Sequence, residues 1–180
     1  NIGTSIPDFL TSGDLRDDQR QETGWLLWRN DGEMKFTDVT AQYKIDGYGF
    51  AWGAVFEDLD LDGQLDLLVG SWNDDTNGAN AGAVHIYLGI EGGFFQDQPI
   101  QSLYGPRGGD QFGLAIATCD FNGDRQLDLA ITGYQYEDRG AEPVANNQGA
   151  VMVFLGSEAG FREQADGGIL IGGHLNAGGD

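Results

Sequence analysis

One cysteine, Cys119, occurs in 180 residues, so no internal disulfide framework can staple this chain. Proline is also scarce, with four residues, and no low-complexity run is present. Basic residues are few: nine Lys and Arg stand against 29 Asp and Glu, a formal charge of −20. A surface this acidic repels nucleic acid and anionic lipid, and no basic cluster offsets it. The two histidines, His85 and His174, lie far apart with no cysteine near either, which excludes a zinc centre. His85 is expected on the polar face of a strand, and Cys119 as a small buried hydrophobe. No Gly-x-Ser-x-Gly elbow and no other pairing of nucleophile with base is legible, so no catalytic residue is assigned. No apolar run reaches the ~18 residues of a membrane span.

Glycine and aspartate are what the chain has in plenty. Glycine accounts for 30 residues, spread evenly, which predicts many tight turns between short strands. Aspartate gathers in two nine-residue stretches. The first runs Asp58-Leu59-Asp60-Leu61-Asp62-Gly63-Gln64-Leu65-Asp66, with carboxylates at its first, third, fifth and ninth positions. The second, Asp120-Phe121-Asn122-Gly123-Asp124-Arg125-Gln126-Leu127-Asp128, repeats it with asparagine at the third. So many carboxylates in one loop repel each other unless a cation sits among them, and hard oxygen ligands of this number suit Ca²⁺ better than Mg²⁺. The predicted ligands are Asp58, Asp60, Asp62, Asp66 and the carbonyl of Gln64, then Asp120, Asn122, Asp124, Asp128 and the carbonyl of Gln126. An acidic solvated turn is the plain alternative for one copy; two copies in the same context weigh against it. An EF-hand needs a glutamate at position twelve and flanking helices, whereas Val69 and Ile131 stand there. Each loop instead runs into a short apolar segment, Leu67-Leu68-Val69 or Leu129-Ala130-Ile131, ended by Gly70 or Gly133, which reads as a strand.

Around the loops the chain repeats with a period of about sixty residues. The second repeat places strands at Phe50–Phe56, Leu67–Val69 and Gly82–Gly89, then a turn at Glu91-Gly92-Gly93 before Phe94-Phe95. The third places them at Phe112–Ala117, Leu129–Ile131 and Gly149–Gly156, then a turn at Glu158-Ala159-Gly160 before Phe161. The first is incomplete: Phe9-Leu10-Thr11, Gly24–Trp28, a turn at Asn30-Asp31-Gly32, then Met34-Lys35-Phe36. Its opening residues, from Asn1 to Asp8, read as the tail of a third, partial metal loop. Four short antiparallel strands per repeat at this period predict an all-β fold of β-propeller blades. The boundaries are 1–46 for a partial blade, 47–108 and 109–177 for two full ones, and 178–180 for the start of the next. About three blades are too few to close a ring, so the chain is expected to be part of a larger propeller or to complete one with other chains.

These residues resemble the FG-GAP (VCBS, integrin-α-like) repeat family. Phe112-Gly113 supplies the Phe-Gly of the name, and Phe50-Ala51 matches it with alanine. The two Asp loops and the Gly-Ala-Val strands at Gly82 and Gly149 also fit, while Gly70-Ser71-Trp72 and Gly133-Tyr134-Gln135 replace Gly-Ala-Pro. The stretch from Trp28-Arg29-Asn30-Asp31-Gly32 to Phe36-Thr37-Asp38-Val39-Thr40 is similar to the linking segment of cartilage-acidic-protein-like and ASPIC-type members. The resemblance implies a propeller, often of seven blades, with calcium in loops on one face. The expected function is a calcium-stabilised module for protein interaction, adhesion or assembly, in an extracellular, cell-surface or periplasmic setting. A carbohydrate-binding propeller, or a non-catalytic part of a secreted enzyme, is the alternative. Expected partners are a protein or the remaining blades, or a glycan. Trp72, with Trp25, is the candidate contact residue.

Overall fold

A computed structural model of the chain describes residues 9–13, 24–43, 53–91, 95–137 and 148–172. The first sheet holds β1 (Phe9–Gly13), β2 (Gly24–Gly32) and β3 (Lys35–Asp38), followed by a four-residue helix, α1 (Thr40–Tyr43). The second holds β4 (Ala54–Glu57), β5 (Asp66–Ser71), β6 (Ala83–Tyr87) and β7 (Gln101–Tyr104). The third holds β8 (Phe112–Cys119), β9 (Asp128–Gly133), β10 (Ala150–Phe154) and β11 (Gly168–Ile171). Each is an antiparallel meander whose strands lie side by side in chain order, the arrangement of a propeller blade. The molecule is thus an open array of blades, as expected from the repeat.

Two local expectations shift. The turn of the first sheet falls at Glu33 and Met34, which both take positive φ (50° and 61°), and not at Asn30-Asp31-Gly32. Two central residues with positive φ match the right-handed twist of a two-residue hairpin. The fourth strands also lie further along than the aromatic residues suggest. Phe95 makes only an isolated bridge to Gly89 and plugs the core, while β7 begins at Gln101. Phe161 likewise precedes β11, which begins at Gly168. In both blades the aromatic ring packs between sheets and leaves edge pairing to the segment behind it.

The second blade is covered on both faces. Leu67, Val69, Tyr87 and Phe95 pack against Leu27, Val39 and Tyr43 of the first sheet and its helix. Tyr43 and Phe95 meet edge to face at 6.0 Å. On the opposite face Leu68, Val84, Ile86 and Leu103 pack against Phe112, Leu129, Ile131, Met152 and Phe154 of the third blade. This explains why Leu67-Leu68-Val69 is apolar without alternation: each successive side chain meets a different neighbouring sheet. Backbone contacts stitch the blades near their inner strands. The Phe112 N–H donates to the Ala81 carbonyl at 3.0 Å, and Gln111 N–H to that of Asn80 at 3.1 Å.

Covering both faces also overturns the expectation for His85. It is buried, because its sheet has no polar face. Its Nδ1 lies 2.8 Å from Ser102 Oγ. Burial holds the imidazole pKa down at about 4, from 6.5, against a smaller upward pull from Asp74. The neutral ring therefore contributes stability that is whole above pH 6.5 and is lost as pH falls towards 4. That loss amounts to about 3 kcal/mol for a shift of this size. Urea melts at pH 7.5 and pH 5 should show a steeper acid loss for the parent than for His85→Gln; parallel losses would show that His85 does not titrate on unfolding.

Cys119 reverses its expectation in the other direction, since it is exposed. It shares a face of the third blade with Ala117, Ala130, Val151, Val153 and Leu170, and no described sheet covers that face.

Candidate metal centre

The loop between β4 and β5 is built on aspartates that bond the backbone of their own turn. Asp60 Oδ1 accepts the Asp62 N–H at 3.2 Å, and Asp62 Oδ1 accepts the Gln64 N–H at 2.8 Å. Asp58 Oδ2 accepts the Gly63 N–H at 3.0 Å. These short-range bonds are the ordinary way Asp specifies a turn. They draw carboxylates inward until oxygens of Asp58, Asp60 and Asp66 lie within 4.8 Å of one another. Asp58 Oδ1 is shielded from solvent and has no hydrogen-bond partner. Of the expected ligand set, these three carboxylates come together most closely, while Asp62 is engaged with Gln64.

The loop between β8 and β9 repeats the pattern. Asp120 accepts from the N–H groups of Gly123, Asp124 and Arg125 at 2.7–3.1 Å. Asn122 Oδ1 accepts from Asp124 N–H, and Asp124 Oδ1 from Gln126 N–H, at 2.9 and 2.8 Å. The Asn122 side-chain amide also donates to Asp124 Oδ2 at 2.9 Å. Both loops bend through the left-handed region at their fourth and sixth positions. In the first these are Leu61 (φ 62°) and Gly63 (φ 89°), in the second Gly123 (φ 81°) and Arg125 (φ 72°). Each loop therefore places a glycine at one of the two positive-φ positions, and the two loops choose opposite ones.

Asp66 and Asp128 do more than sit at the ninth position. Both are buried, at 1% and 0% exposure. Asp66 accepts the Leu59 N–H at 2.7 Å through one oxygen and the Gly89 N–H at 2.8 Å through the other. Asp128 does the same with Phe121 and Gly156, at 2.7 and 2.8 Å. Each carboxylate thus ties its own loop to the residues just beyond the third strand of the blade. Sequence reasoning passed over Gly89 and Gly156. The signal was there: each closes an apolar strand, Tyr87-Leu88-Gly89 and Phe154-Leu155-Gly156, at the same place in its repeat. A Cβ would lie 2.6 Å from the Leu65 carbonyl oxygen at Gly89 and 2.2 Å from that of Leu127 at Gly156, so only glycine admits the loop.

Burial pushes the Asp66 carboxyl up to about 6, opposed by the two backbone bonds and aided by repulsion from Asp60 and Asp62. Of the remaining candidates, Asn1 and Asp8 lie outside the described residues, as does His174. Trp25 is placed through its backbone, opposite Ser12. Trp72 is half-buried, with its indole nitrogen shielded from solvent.

The FG-GAP-like repeat model matches residues 3–69, and the FG-GAP repeat model matches residues 112–154. The chain belongs to the FG-GAP repeat family. The second match takes in the Phe112-Gly113 pair, the second Asp loop and β10. This FG-GAP chain is similar to integrin alpha-3 of Cricetulus griseus, 30% identical over 145 residues, which is 77% of this chain and 14% of the relative. It is 31% identical over 114 residues to integrin alpha-6 of Homo sapiens, covering 60% of this chain and 10% of that one. Integrin alpha-PS5 of Drosophila melanogaster is 33% identical over 120 residues, 66% and 11% of the respective chains. The FG-GAP chain therefore spans a small part of the length of these relatives. Among its described residues no helix is long and apolar enough to cross a membrane.

Proposed function

We propose that the chain is a calcium-stabilised segment of an extracellular or cell-surface β-propeller that serves protein interaction or adhesion. The observation that carries the metal reading is the buried, unpartnered Oδ1 of Asp58 within a group of three converging carboxylates. A desolvated carboxylate oxygen without a hydrogen bond is costly, and a hard dication is the partner such an oxygen suits. Asp58, Asp60 and Asp66, with Asp62 and the Gln64 carbonyl, would hold the first ion. Asp120, Asn122, Asp124 and Asp128, with the Gln126 carbonyl, would hold a second. A bound Ca²⁺ supplies charge neutralisation. The loop then joins two strands of one blade in fixed register, and binding energy becomes folding energy. Loops of modest affinity suit a compartment rich in calcium, outside the cytosol.

The similarity to integrin alpha chains supports adhesion and a protein partner. The uncovered face of the third blade supports further blades as the structural partner, because the matching face of the second blade, with Leu68, Val84 and Ile86, is packed against the neighbouring sheet. Asp58→Ala and Asp120→Ala are each expected to lower the melting temperature in saturating calcium. The drop should be about 5–10 °C, the size expected when a site loses calcium held at roughly a hundred times its dissociation constant. The gap should close in excess chelator. Variants that melt with the parent in calcium would rule the loops out as metal sites.

A further inference from the structure

An asparagine followed by glycine is open to attack on its own side chain, because the glycine nitrogen carries no neighbouring Cβ to hinder its approach to the amide carbon. The chain holds two such pairs, Asn77-Gly78 and Asn122-Gly123. Both asparagines are exposed, so water reaches both. The hydrogen bonds around them differ. Asn77 Nδ2 donates to the Gly105 carbonyl at 2.7 Å, and the Gly78 N–H donates to the Asp75 carbonyl at 3.1 Å. A backbone carbonyl accepts that hydrogen bond but is too weak a base to take the proton.

In the second Asp loop the bonds fall on the atoms that would react. The Gly123 N–H donates to Asp120 Oδ1 at 2.7 Å, within the reach at which a side chain takes a proton. Asn122 Oδ1 accepts the Asp124 N–H at 2.9 Å. Negative charge develops on that oxygen when a nitrogen attacks Asn122 Cγ, so the donor stands where it stabilises the transition state. Asn122 Nδ2, the leaving nitrogen, donates to Asp124 Oδ2 at 2.9 Å, which fixes the orientation of the amide. A proton acceptor, an oxyanion donor and a held leaving group therefore surround one Asn-Gly pair and not the other.

We propose that Asn122-Gly123 is a self-modifying site, at which the second Asp loop converts its own asparagine amide to a carboxylate. Asp120 takes the proton of the Gly123 N–H as that nitrogen bonds to Asn122 Cγ. The Cγ–Nδ2 bond then breaks, and ammonia leaves with the proton handed back by Asp120. The succinimide ring that remains adds one water. Opening on one side leaves an aspartate at position 122, so this loop then carries carboxylates at the same first, third, fifth and ninth positions as Asp58–Asp66. Opening on the other side leaves isoaspartate, whose backbone is one carbon longer. The inference does not rest on calcium binding. The oxygens it uses are those proposed as calcium ligands, so it is tested in chelator.

The intact protein is incubated in chelator, both folded and in concentrated urea, and then digested with trypsin. Cleavage after Lys44, Arg107 and Arg125 places the two pairs in separate peptides, 45–107 and 108–125, in which tandem mass spectrometry follows each conversion. In the folded protein Asn122 should convert at least about tenfold faster than Asn77, a modest share of what a positioned proton acceptor supplies. In urea the two rates should converge, because only the shared Asn-Gly chemistry is left. Asp120→Asn keeps the size of the side chain and removes the acceptor, and the N–H groups it serves are exposed and can turn to water. It should slow Asn122 about tenfold and leave Asn77 unchanged. The proposal is overturned if Asn122 in the folded protein converts no faster than Asn77 or more slowly than in urea, or if Asp120→Asn does not slow it.

Discussion

Gly70→Ala is expected to cost about 3 kcal/mol or more, since overpacking against an unyielding neighbour is among the more damaging core changes. The added methyl would stand 1.9 Å from the Gly113 carbonyl oxygen and 3.1 Å from that of Gly53, and both are backbone atoms that cannot swing aside. Gly113→Ala should be comparably severe. Its φ of +92° disfavours any side chain, and its Cβ would meet the Ala83 carbonyl oxygen at 2.4 Å. Gly63→Ala is the control. It has a similar φ of +89° but nothing within 4 Å, so it should cost only about 1 kcal/mol from backbone strain. Denaturant midpoints of the three variants separate crowding from strain. If Gly70→Ala and Gly63→Ala shift the midpoint equally, the inner strands do not approach as closely as described.

Asp128→Ala is expected to destabilise by about 2–4 kcal/mol, because it leaves two part-buried N–H groups, those of Phe121 and Gly156, without their acceptor. The diagnostic feature is its response to metal. Loss of Asp120, whose N–H partners are exposed and can turn to water, should matter chiefly while calcium is bound, whereas loss of Asp128, whose partners are part-buried, should persist in chelator. The bonds from Asp128 to the loop and to the end of β10 exist whether or not an ion is present. A variant that melts with the parent once calcium is stripped would reduce Asp128 to a metal ligand and nothing more.

The meander order was legible because its signals are local. An Asp loop followed at once by Leu-Leu-Val or Leu-Ala-Ile and a glycine leaves little choice but a strand leaving a turn, and β5 and β9 stand there. The outermost strands were harder to read. Phe95 carries a stronger hydrophobic signal than Gln101–Tyr104, and Phe161 follows the corresponding turn of its repeat, yet in both blades it is the later segment that pairs at the edge. In β7 only Leu103 enters the core, and in β11 all four residues are exposed, so core packing constrains the sequence of these edge strands loosely. The Asp loops were legible as lists of oxygens. What could not be read was that Asp66 and Asp128 also accept from Gly89 and Gly156, since those glycines come close only after β6 and β10 have returned alongside β5 and β9.

The chain's own residues determined its blade period, its all-β character and the acidic turns at Asp58–Asp66 and Asp120–Asp128, because each follows from interactions within about ten positions. Tertiary structure alone decided which faces are covered. It buried His85 in a blade sandwiched by two others, left Cys119 on a face without a described neighbour, and required glycine where Gly70 meets Gly113. Alternation along a strand says which side chains share a face. What lies against that face depends on sheets brought together from distant parts of the chain.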